Sequence, residues 1–160
     1  MVDIALYQPE IPPNAATIIR TAACLGVAVH IIGPAGFDWS ERSFRRAGMD
    51  YLEVAHVERH VDFDRFRQAV AGRRLVLATT RSSVPYTDFA FRLSDVLLFG
   101  RESAGVPAAV HALADARVTI PMRPDTRSLN LAVAAAMVTG EALRQVSARD
   151  PLHPRPKIGQ

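Results

Sequence analysis

The sequence predicts a single α/β domain built on a mainly parallel sheet, and three observations lead to this prediction. Short apolar runs alternate with amphipathic stretches along the chain, which is typical of parallel strands joined by helices. The runs at 75–79 and 96–99 lack alternating polar residues, as expected for strands that helices cover on both faces. A length of 160 residues with 49% hydrophobic residues is enough for one domain with its own core.

Five strands are expected, because five short runs rich in β-branched residues or leucine are bounded by glycine, proline or charged residues. They cover residues 2–6, 29–32, 75–79, 96–99 and 117–120.

Helices are expected between and after these strands. Asn14 is a plausible N-cap for the first, over 14–25, and 40–46 is a short polar candidate. Residues 62–71 place Phe63, Phe66 and Val70 on one face, and 107–113 begins with a proline, as first turns often do.

The last helix, over 130–145, is the most informative element. Most of its length is apolar or small on every side, and such a helix must be buried all round. Ala134, Ala135, Ala136 and Gly140 would let another helix approach closely. We expect a homodimer with this helix in the interface; the alternative is a central helix within a monomer.

Composition excludes several classes of protein and suggests a partner. A single cysteine, Cys24, excludes an internal disulfide and a multi-cysteine zinc site, and no metal site is predicted. No apolar run reaches the roughly 18 residues of a membrane span, and residues 1–7 do not resemble a signal peptide, so a cytoplasmic location is expected. The net charge is +3, and all cations but Lys157 are arginines, which suit phosphate but also arise from genomic codon bias.

Three segments concentrate turn formers and polar groups at predicted strand ends, where ligands bind in open α/β sheets. The first runs from Pro9 to Asn14 and leads to Arg20. The second is 99–107, Phe-Gly-Arg-Glu-Ser-Ala-Gly-Val-Pro, and the third is 120–130, which leads into the last helix. Neither the Gly-x-Gly-x-x-Gly fingerprint nor a Walker loop is present. Each segment taken alone is also compatible with a capped helix or a structural turn.

In this order the three segments resemble the motifs of the SPOUT class of RNA methyltransferases. The stretches 6–14, Leu-Tyr-Gln-Pro-Glu-Ile-Pro-Pro-Asn, and 46–51, Arg-Ala-Gly-Met-Asp-Tyr, look like those of the small tRNA (cytidine/uridine) 2′-O-methyltransferases that act at the wobble nucleotide. The resemblance covers nearly the whole chain. It implies one methyltransferase domain over 1–148, followed by an irregular tail over 149–160.

The resemblance implies a SPOUT (α/β knot) fold, whose C-terminal part threads a deep trefoil knot, and S-adenosyl-L-methionine as the cofactor. It places cofactor contacts on three loops, with backbone groups reading the adenine and apolar side chains packing on it. The residues concerned are Ala78, Thr79, Gly100, Glu102, Ile120, Met122, Ser128 and Leu129.

The same resemblance makes Arg20 the catalytic arginine. Because arginine stays protonated in proteins, we expect it to clamp phosphate and ribose. Asn14, Ser128 and Asn130 would orient Arg20 and the ribose. The substrate implied is a tRNA anticodon stem-loop, held by the dimer itself. The candidate phosphate contacts are Arg42, Arg45, Arg46, Arg73, Arg81 and Arg155, with help from Lys157.

Two other functions remain open at this point. One is a non-catalytic RNA-binding module that keeps the fold; it would bind tRNA but not S-adenosylmethionine. The other is a nucleotide-binding enzyme of phosphate chemistry, which would need a carboxylate pair for a metal and a phosphate loop, and neither is evident.

Overall fold

A computed structural model describes residues 1–37 and 54–149 of the chain, and its strands form one parallel sheet. The strands are β1 (Asp3–Tyr7), β2 (Val29–Ile32), β3 (Val57–His60), β4 (Leu75–Ala78), β5 (Val96–Phe99) and β6 (Ala116–Val118). Their order is β3-β2-β1-β5-β4-β6, and each pairing between these named strands is parallel. The predicted α/β class with a mainly parallel sheet is confirmed.

Helices cover both faces of this sheet, which explains why its central strands are apolar on both sides. The helices are α1 (Pro12–Leu25), α2 (Phe63–Ala69), α3 (Ala108–Leu113) and α4 (Leu131–Arg149). One core cluster joins α1 and α4 to a face that includes Ile4 and Leu97. A second cluster joins α2 and α3 to the opposite face, which includes Ala5 and Leu98. None of the helices in the described ranges is long and apolar enough to cross a membrane.

The structure corrects the prediction for the start of the first helix. Helix α1 begins at Pro12, with Ile11 as N-cap and no side-chain capping bond from that residue. Asn14 is therefore not the N-cap; it lies in the first turn and is buried. The two prolines take the first helical positions, where a missing N–H costs no helical hydrogen bond.

One strand of the sheet, β3, was not predicted from the sequence. Strand β3 has the sequence Val-Glu-Arg-His, lies at the edge of the sheet, and has only its last residue buried. A single apolar residue gives no alternating pattern, so nothing in this stretch indicated a strand. The predicted helix at 40–46 lies outside the described residues. So does the predicted tail over 149–160 apart from Arg149, which ends α4. The predicted trefoil knot concerns the threading of the chain, which strand order does not test, and it stays a prediction.

Helix α4 is buried on one side only. Ala135, Val138 and Ala142 are buried in the core shared with α1, whereas Val133 and Met137 are 49% and 37% exposed. The expectation that this helix is buried all round is therefore not met within one chain. An apolar stripe on its outer side faces away from the core.

Candidate active site

A cavity of about 770 Å³ lies beyond the carboxyl ends of β4 and β5. Its walls come from three segments: the residues that follow β4, the loop that follows β5, and the segment that leads from β6 into α4. The side chain of Asn14, from the first turn of α1, completes the lining. Because the strands are parallel, their carboxyl ends share one edge, and this brings distant segments of the chain together.

The cavity gathers every residue that was predicted to bind the cofactor. Ala78 ends β4 and Thr79 follows it, Gly100 and Glu102 follow β5, and the rest precede α4. The full set in the lining is Ala78, Thr79, Gly100, Glu102, Ile120, Met122, Ser128 and Leu129. Of the predicted catalytic residues, Asn14, Ser128 and Asn130 also line the cavity.

A chain of side-chain hydrogen bonds connects α1 to the loop after β5 and to the segment before α4. The Asn14 side chain donates from Nδ2 to Glu102 Oε1 at 3.2 Å and accepts at Oδ1 from Asn130 Nδ2 at 2.9 Å. The Glu102 carboxylate accepts only, so it fixes the orientation of the Asn14 amide. These bonds span 88 and 116 residues of sequence, so the site forms only in the folded chain.

Glu102 also stabilises the entry to α1. Its carboxylate accepts the backbone N–H groups of Glu10 at 2.9 Å and Ile11 at 3.3 Å. A negative charge at this end of a helix is favourable. The resemblance implied a contact between Glu102 and the cofactor; the structure adds a positioning role for its carboxylate at the start of α1.

A reciprocal contact closes the same junction. Glu10 accepts from the backbone N–H of Ser103 at 2.9 Å and from its hydroxyl at 2.8 Å. These two bonds hold the pKa of the Glu10 carboxyl below its ordinary value, the backbone N–H contributing most. The loops at 8–11 and 101–103 therefore form one connected unit on the cavity wall.

The loop after β5 folds back on itself. The backbone groups of Arg101 and Gly105 exchange two hydrogen bonds, at 2.9 and 3.0 Å, and Gly105 adopts a φ of +64°. A Cβ on Gly100 would lie 2.5 Å from the Gly105 carbonyl carbon, closer than real Cβ contacts. Only glycine fits at position 100, and this explains the pair of glycines that the sequence analysis noted.

Backbone strain occurs beside this loop. Gln8 has a φ of 46°, a left-handed conformation that a residue other than glycine rarely adopts. Its side chain is held at both ends: Oε1 accepts from Arg101, and Nε2 donates to the Gly33 carbonyl at 3.3 Å. The guanidinium carbon of Arg101 also lies 6.0 Å from the centre of the Tyr7 ring. Strain that neighbouring groups hold in place is common at functional sites.

Several residues of the cavity lining were not predicted to line a cofactor site, among them Arg81 and His111. Arg81 is exposed and follows β4; it was proposed only as a phosphate contact. His111 comes from α3 and accepts at Nδ1 from Arg117 Nε at 3.1 Å. Its buried Nε2 has no partner among the described residues. No sequence pattern indicated His111, because only the folding of the chain brings α3 next to the cavity.

Arg20 stands apart from the other predicted catalytic residues. It lies on α1, six positions after Asn14, and its side chain is exposed. It does not belong to the lining of the cavity among the described residues. Of the four predicted catalytic residues, Asn14, Ser128 and Asn130 therefore line the cavity and Arg20 does not.

The side chain of Asn130 has two roles, and a comparison of two substitutions separates them. Its Oδ1 caps α4 by accepting from the N–H groups of Ala132 at 2.8 Å and Val133 at 3.3 Å, while its Nδ2 contacts Asn14. Asn130→Ala removes both, and we expect the free energy of unfolding to fall by about 1–3 kcal/mol. Asn130→Ser keeps a capping oxygen and should lose less. Urea denaturation measures both variants; equal losses would contradict the capping role.

Comparison with known proteins gives a consistent picture. The model of the SpoU rRNA Methylase family matches residues 1–140. A tRNA (cytidine(34)-2'-O)-methyltransferase of Beijerinckia indica subsp. indica is 66% identical over 147 residues, which are 91% of this chain and 92% of that protein. The match to the family model extends over the cavity and all three segments that line it.

Solved structures agree in fold. A structure on the 2-OH methylation of C/U34 on tRNA has a TM-score of 0.87 and 42% identity, and the match covers 93% of this chain and 98% of that one. An AdoMet-bound rRNA methyltransferase from Sinorhizobium meliloti has a TM-score of 0.79 and 32% identity, with 89% of this chain and 56% of that one covered.

Proposed function

Since the chain belongs to the SpoU rRNA Methylase family, we propose that it is a tRNA (cytidine/uridine) 2′-O-methyltransferase of the wobble nucleotide. It transfers a methyl group from S-adenosyl-L-methionine to the ribose 2′-hydroxyl at position 34. One observation carries the proposal: segments far apart in sequence line one cavity, where Asn14 bonds both Glu102 and Asn130. A relative that is 66% identical bears the name of this activity. A tRNA substrate also accords with a cytoplasmic location.

The residues present fit the cofactor. A cavity of about 770 Å³ falls within the range of roughly 300–1,000 Å³ that small-molecule sites occupy. Its walls combine apolar side chains with backbone groups, and Leu129 presents 39% of its surface. Ile120, Met122 and Leu129 would pack on the adenine, and backbone groups of the same loops would bind its polar edge. The structurally similar Sinorhizobium meliloti enzyme is AdoMet-bound.

The chemistry asks three things of the chain. When bound, S-adenosylmethionine supplies an electrophilic methyl group. The residues of the chain hold the ribose 2′-oxygen in line with that methyl group, exclude water, and ease the loss of the hydroxyl proton. Orientation alone is worth about 7–11 kcal/mol in good cases. We assign orientation of the ribose to Ser128 and to the amides of Asn14 and Asn130, whose positions are fixed by Glu102.

Arg20 would clamp the ribose and its phosphate. Its guanidinium stays protonated and offers a planar set of donors that matches phosphate oxygens. Because Arg20 lies outside the cavity lining of a single chain, we propose that bound RNA and a second chain complete the site around it. The RNA phosphate itself is a candidate for sharing the proton.

A methyl-transfer assay tests the proposal. An anticodon stem-loop is incubated with tritium-labelled S-adenosylmethionine, and digestion with mass spectrometry locates the product. We expect one methyl group on the ribose at position 34, and none when that ribose lacks its 2′-hydroxyl. Calorimetry with S-adenosylmethionine tests the alternative function. A protein that binds tRNA but neither binds the donor nor transfers a methyl group would be the non-catalytic RNA-binding module.

We further propose that α4 forms a homodimer interface. Val133 and Met137 are one helical turn apart and leave an apolar stripe exposed, with Ala136 and Gly140 exposed beside them. Small residues let a second helix approach closely. Since α1 packs against α4, a partner on this stripe would lie beside the helix that carries Arg20.

A charge in this stripe tests the dimer. Met137→Glu should weaken dimerisation about a hundredfold or more, because an unpaired charge in an interface costs roughly 3 kcal/mol. Leu113→Glu is the matched control: Leu113 is 55% exposed but lies on α3, at the opposite face of the sheet. Light scattering at micromolar concentration measures the oligomeric state of both variants. A monomeric wild-type protein would contradict the proposal.

Arginines would bind the phosphates of the RNA backbone. The structure reduces the number of arginines that are candidates for these contacts. The guanidinium of Arg73 binds Asp3 and the Met1 carbonyl, so its predicted phosphate contact is dropped. Arg81 is exposed at the cavity and remains. The other candidates, Arg42, Arg45, Arg46, Arg155 and Lys157, lie outside the described residues.

Salt dependence tests this contact. Each phosphate that the protein neutralises steepens the fall of log affinity with log salt by about 0.7 for a single strand. Arg81→Ala should therefore flatten the slope by roughly that amount. Arg65→Ala, on the exposed side of α2, should leave it unchanged. A dissociation constant that does not change with salt in the wild-type protein would refute electrostatic binding.

A further inference from the structure

A second cluster of ionisable side chains lies on strands β2 and β3, away from the cavity. Nδ1 of His30 lies 3.0 Å from Nε2 of His60, and both side chains are more than nine-tenths buried. The carboxylate of Glu58 lies 3.6 Å from the His30 nitrogen and 3.9 Å from the His60 nitrogen. None of the three residues belongs to the cavity lining.

The neighbours of the cluster fix the ring of His30. Its Nε2 faces Asp3 Oδ2 at 3.4 Å, and Asp3 in turn pairs with Arg73. A carboxylate only accepts hydrogen bonds, so Asp3 keeps the proton of His30 on Nε2. Nδ1 of His30, which faces His60 Nε2, is left with its lone pair.

The ring of His60 lies close to that of His30, with 5.2 Å between the ring centroids. The Phe66 ring packs against both imidazoles, at 5.6 Å from His30 and 5.5 Å from His60. Two imidazole nitrogens that face each other are thus held in place on the sheet, with a carboxylate beside them that is half exposed.

We propose that His30 Nδ1, His60 Nε2 and the Glu58 carboxylate bind one divalent transition-metal ion of the zinc class. Zinc binds nitrogen and oxygen at about 2.0–2.1 Å in a tetrahedron, which sets ligand atoms about 3.3 Å apart. The two imidazole nitrogens lie 3.0 Å apart. One oxygen of Glu58 lies 3.6 Å from His30 Nδ1 and the other lies 3.9 Å from His60 Nε2, and one ligand atom from each of the three residues lies within 4.8 Å of the other two. Water takes the fourth position, and the half-exposed Glu58 lies where an ion would enter from solvent.

The hydrogen bond between His30 and Asp3 is of the kind that metal-bound histidines usually make. A ligating imidazole usually donates its other N–H to a carboxylate, which orients the ring and raises its basicity, and Asp3 does this for His30. The ion would join β2 to the edge strand β3, whose own residues contribute little apolar burial. This role concerns the stability of the sheet edge and does not depend on the methyl-transfer reaction.

The proposal is tested on the full chain after removal of metal with a chelator. The protein is titrated with Zn²⁺ in competition with a chromophoric chelator, and with Co²⁺ as a spectroscopic probe. We expect one Zn²⁺ per chain at micromolar concentration, the visible absorption of tetrahedral Co²⁺, and a higher melting temperature with Zn²⁺. No binding at micromolar concentration, or Co²⁺ spectra typical of hexaaqua coordination, would overturn the proposal and leave a hydrogen-bonded histidine pair.

Variants identify the ligands. Glu58→Gln changes a half-exposed side chain, so the fold should persist, and Zn²⁺ affinity should fall at least tenfold. His60→Gln should abolish the Co²⁺ spectrum, and Asp3→Asn should weaken binding by about 10–100-fold, as outer-shell changes do. His56→Gln is the matched control, an exposed histidine just before β3. Equal Zn²⁺ affinity in Glu58→Gln and wild-type protein would overturn the assignment even if His60→Gln failed to fold.

Discussion

Arg20→Ala is expected to abolish most methyl transfer while leaving S-adenosylmethionine binding unchanged. The residue is exposed on α1 and lies outside the cavity lining of one chain, so its loss removes no wall of the cofactor site. It would remove the guanidinium that clamps the ribose and phosphate. Loss of one preorganised donor at developing charge typically costs about 10²–10³-fold in rate. Calorimetry measures donor binding, and tritium transfer measures turnover.

Two further variants sharpen this test. Arg20→Lys keeps the charge but loses the planar fork of donors, so its rate should fall between those of wild type and alanine. Arg92→Ala removes another exposed arginine, on the segment before β5, and should leave turnover unchanged. Turnover of Arg20→Ala near that of wild type would remove Arg20 from the mechanism.

Gly100→Ala is expected to lose S-adenosylmethionine binding. The added Cβ would lie 2.5 Å from the Gly105 carbonyl carbon and 2.6 Å from its Cα. Both are backbone atoms, so no side chain can move aside, and the loop that carries Glu102 must open. We expect affinity for the donor to fall by roughly two orders of magnitude, equivalent to about 2.7 kcal/mol.

A second glycine in the same loop is the control. Gly105 also has a special conformation, with a φ of +64°, but a Cβ there would meet nothing within 4 Å. Asparagine tolerates this left-handed region better than other side chains do, so Gly105→Asn should retain most of the binding. Circular dichroism confirms that both variants fold. Donor binding of Gly100→Ala equal to wild type would show that the close approach is not required.

The strand ends found in the sequence predict which segments lie at the edge of the sheet where the cavity is observed. In a parallel sheet the segments that follow the strands share one edge, so the segments of Gly100 and Ile120 are expected near each other. Thr79 was added only because the resemblance to a methyltransferase class implied it. The resemblance to a methyltransferase class assigned their role, which remains to be measured.

What the sequence did not indicate depends on contacts between distant residues. The sequence predicts Asn14 as the N-cap of α1, but the helix starts at Pro12. The carboxylate that stabilises this start belongs to Glu102, 91 residues from Ile11, so the local sequence does not reveal it. The cluster of His30, Glu58 and His60 was not foreseen, since no metal-binding spacing links residues on two different strands. Strand β3 was missed for a related reason: its buried residue is a histidine.

The position of β1 in the middle of the sheet bears on how the protein is made. One edge of β1 pairs with β2, but the other pairs with β5, which leaves the ribosome much later. Until residues 96–99 emerge, the nascent chain presents an unpaired apolar strand edge, and such edges promote aggregation. A pause in translation before β5 would therefore lengthen the interval in which two unfinished chains can join edge to edge.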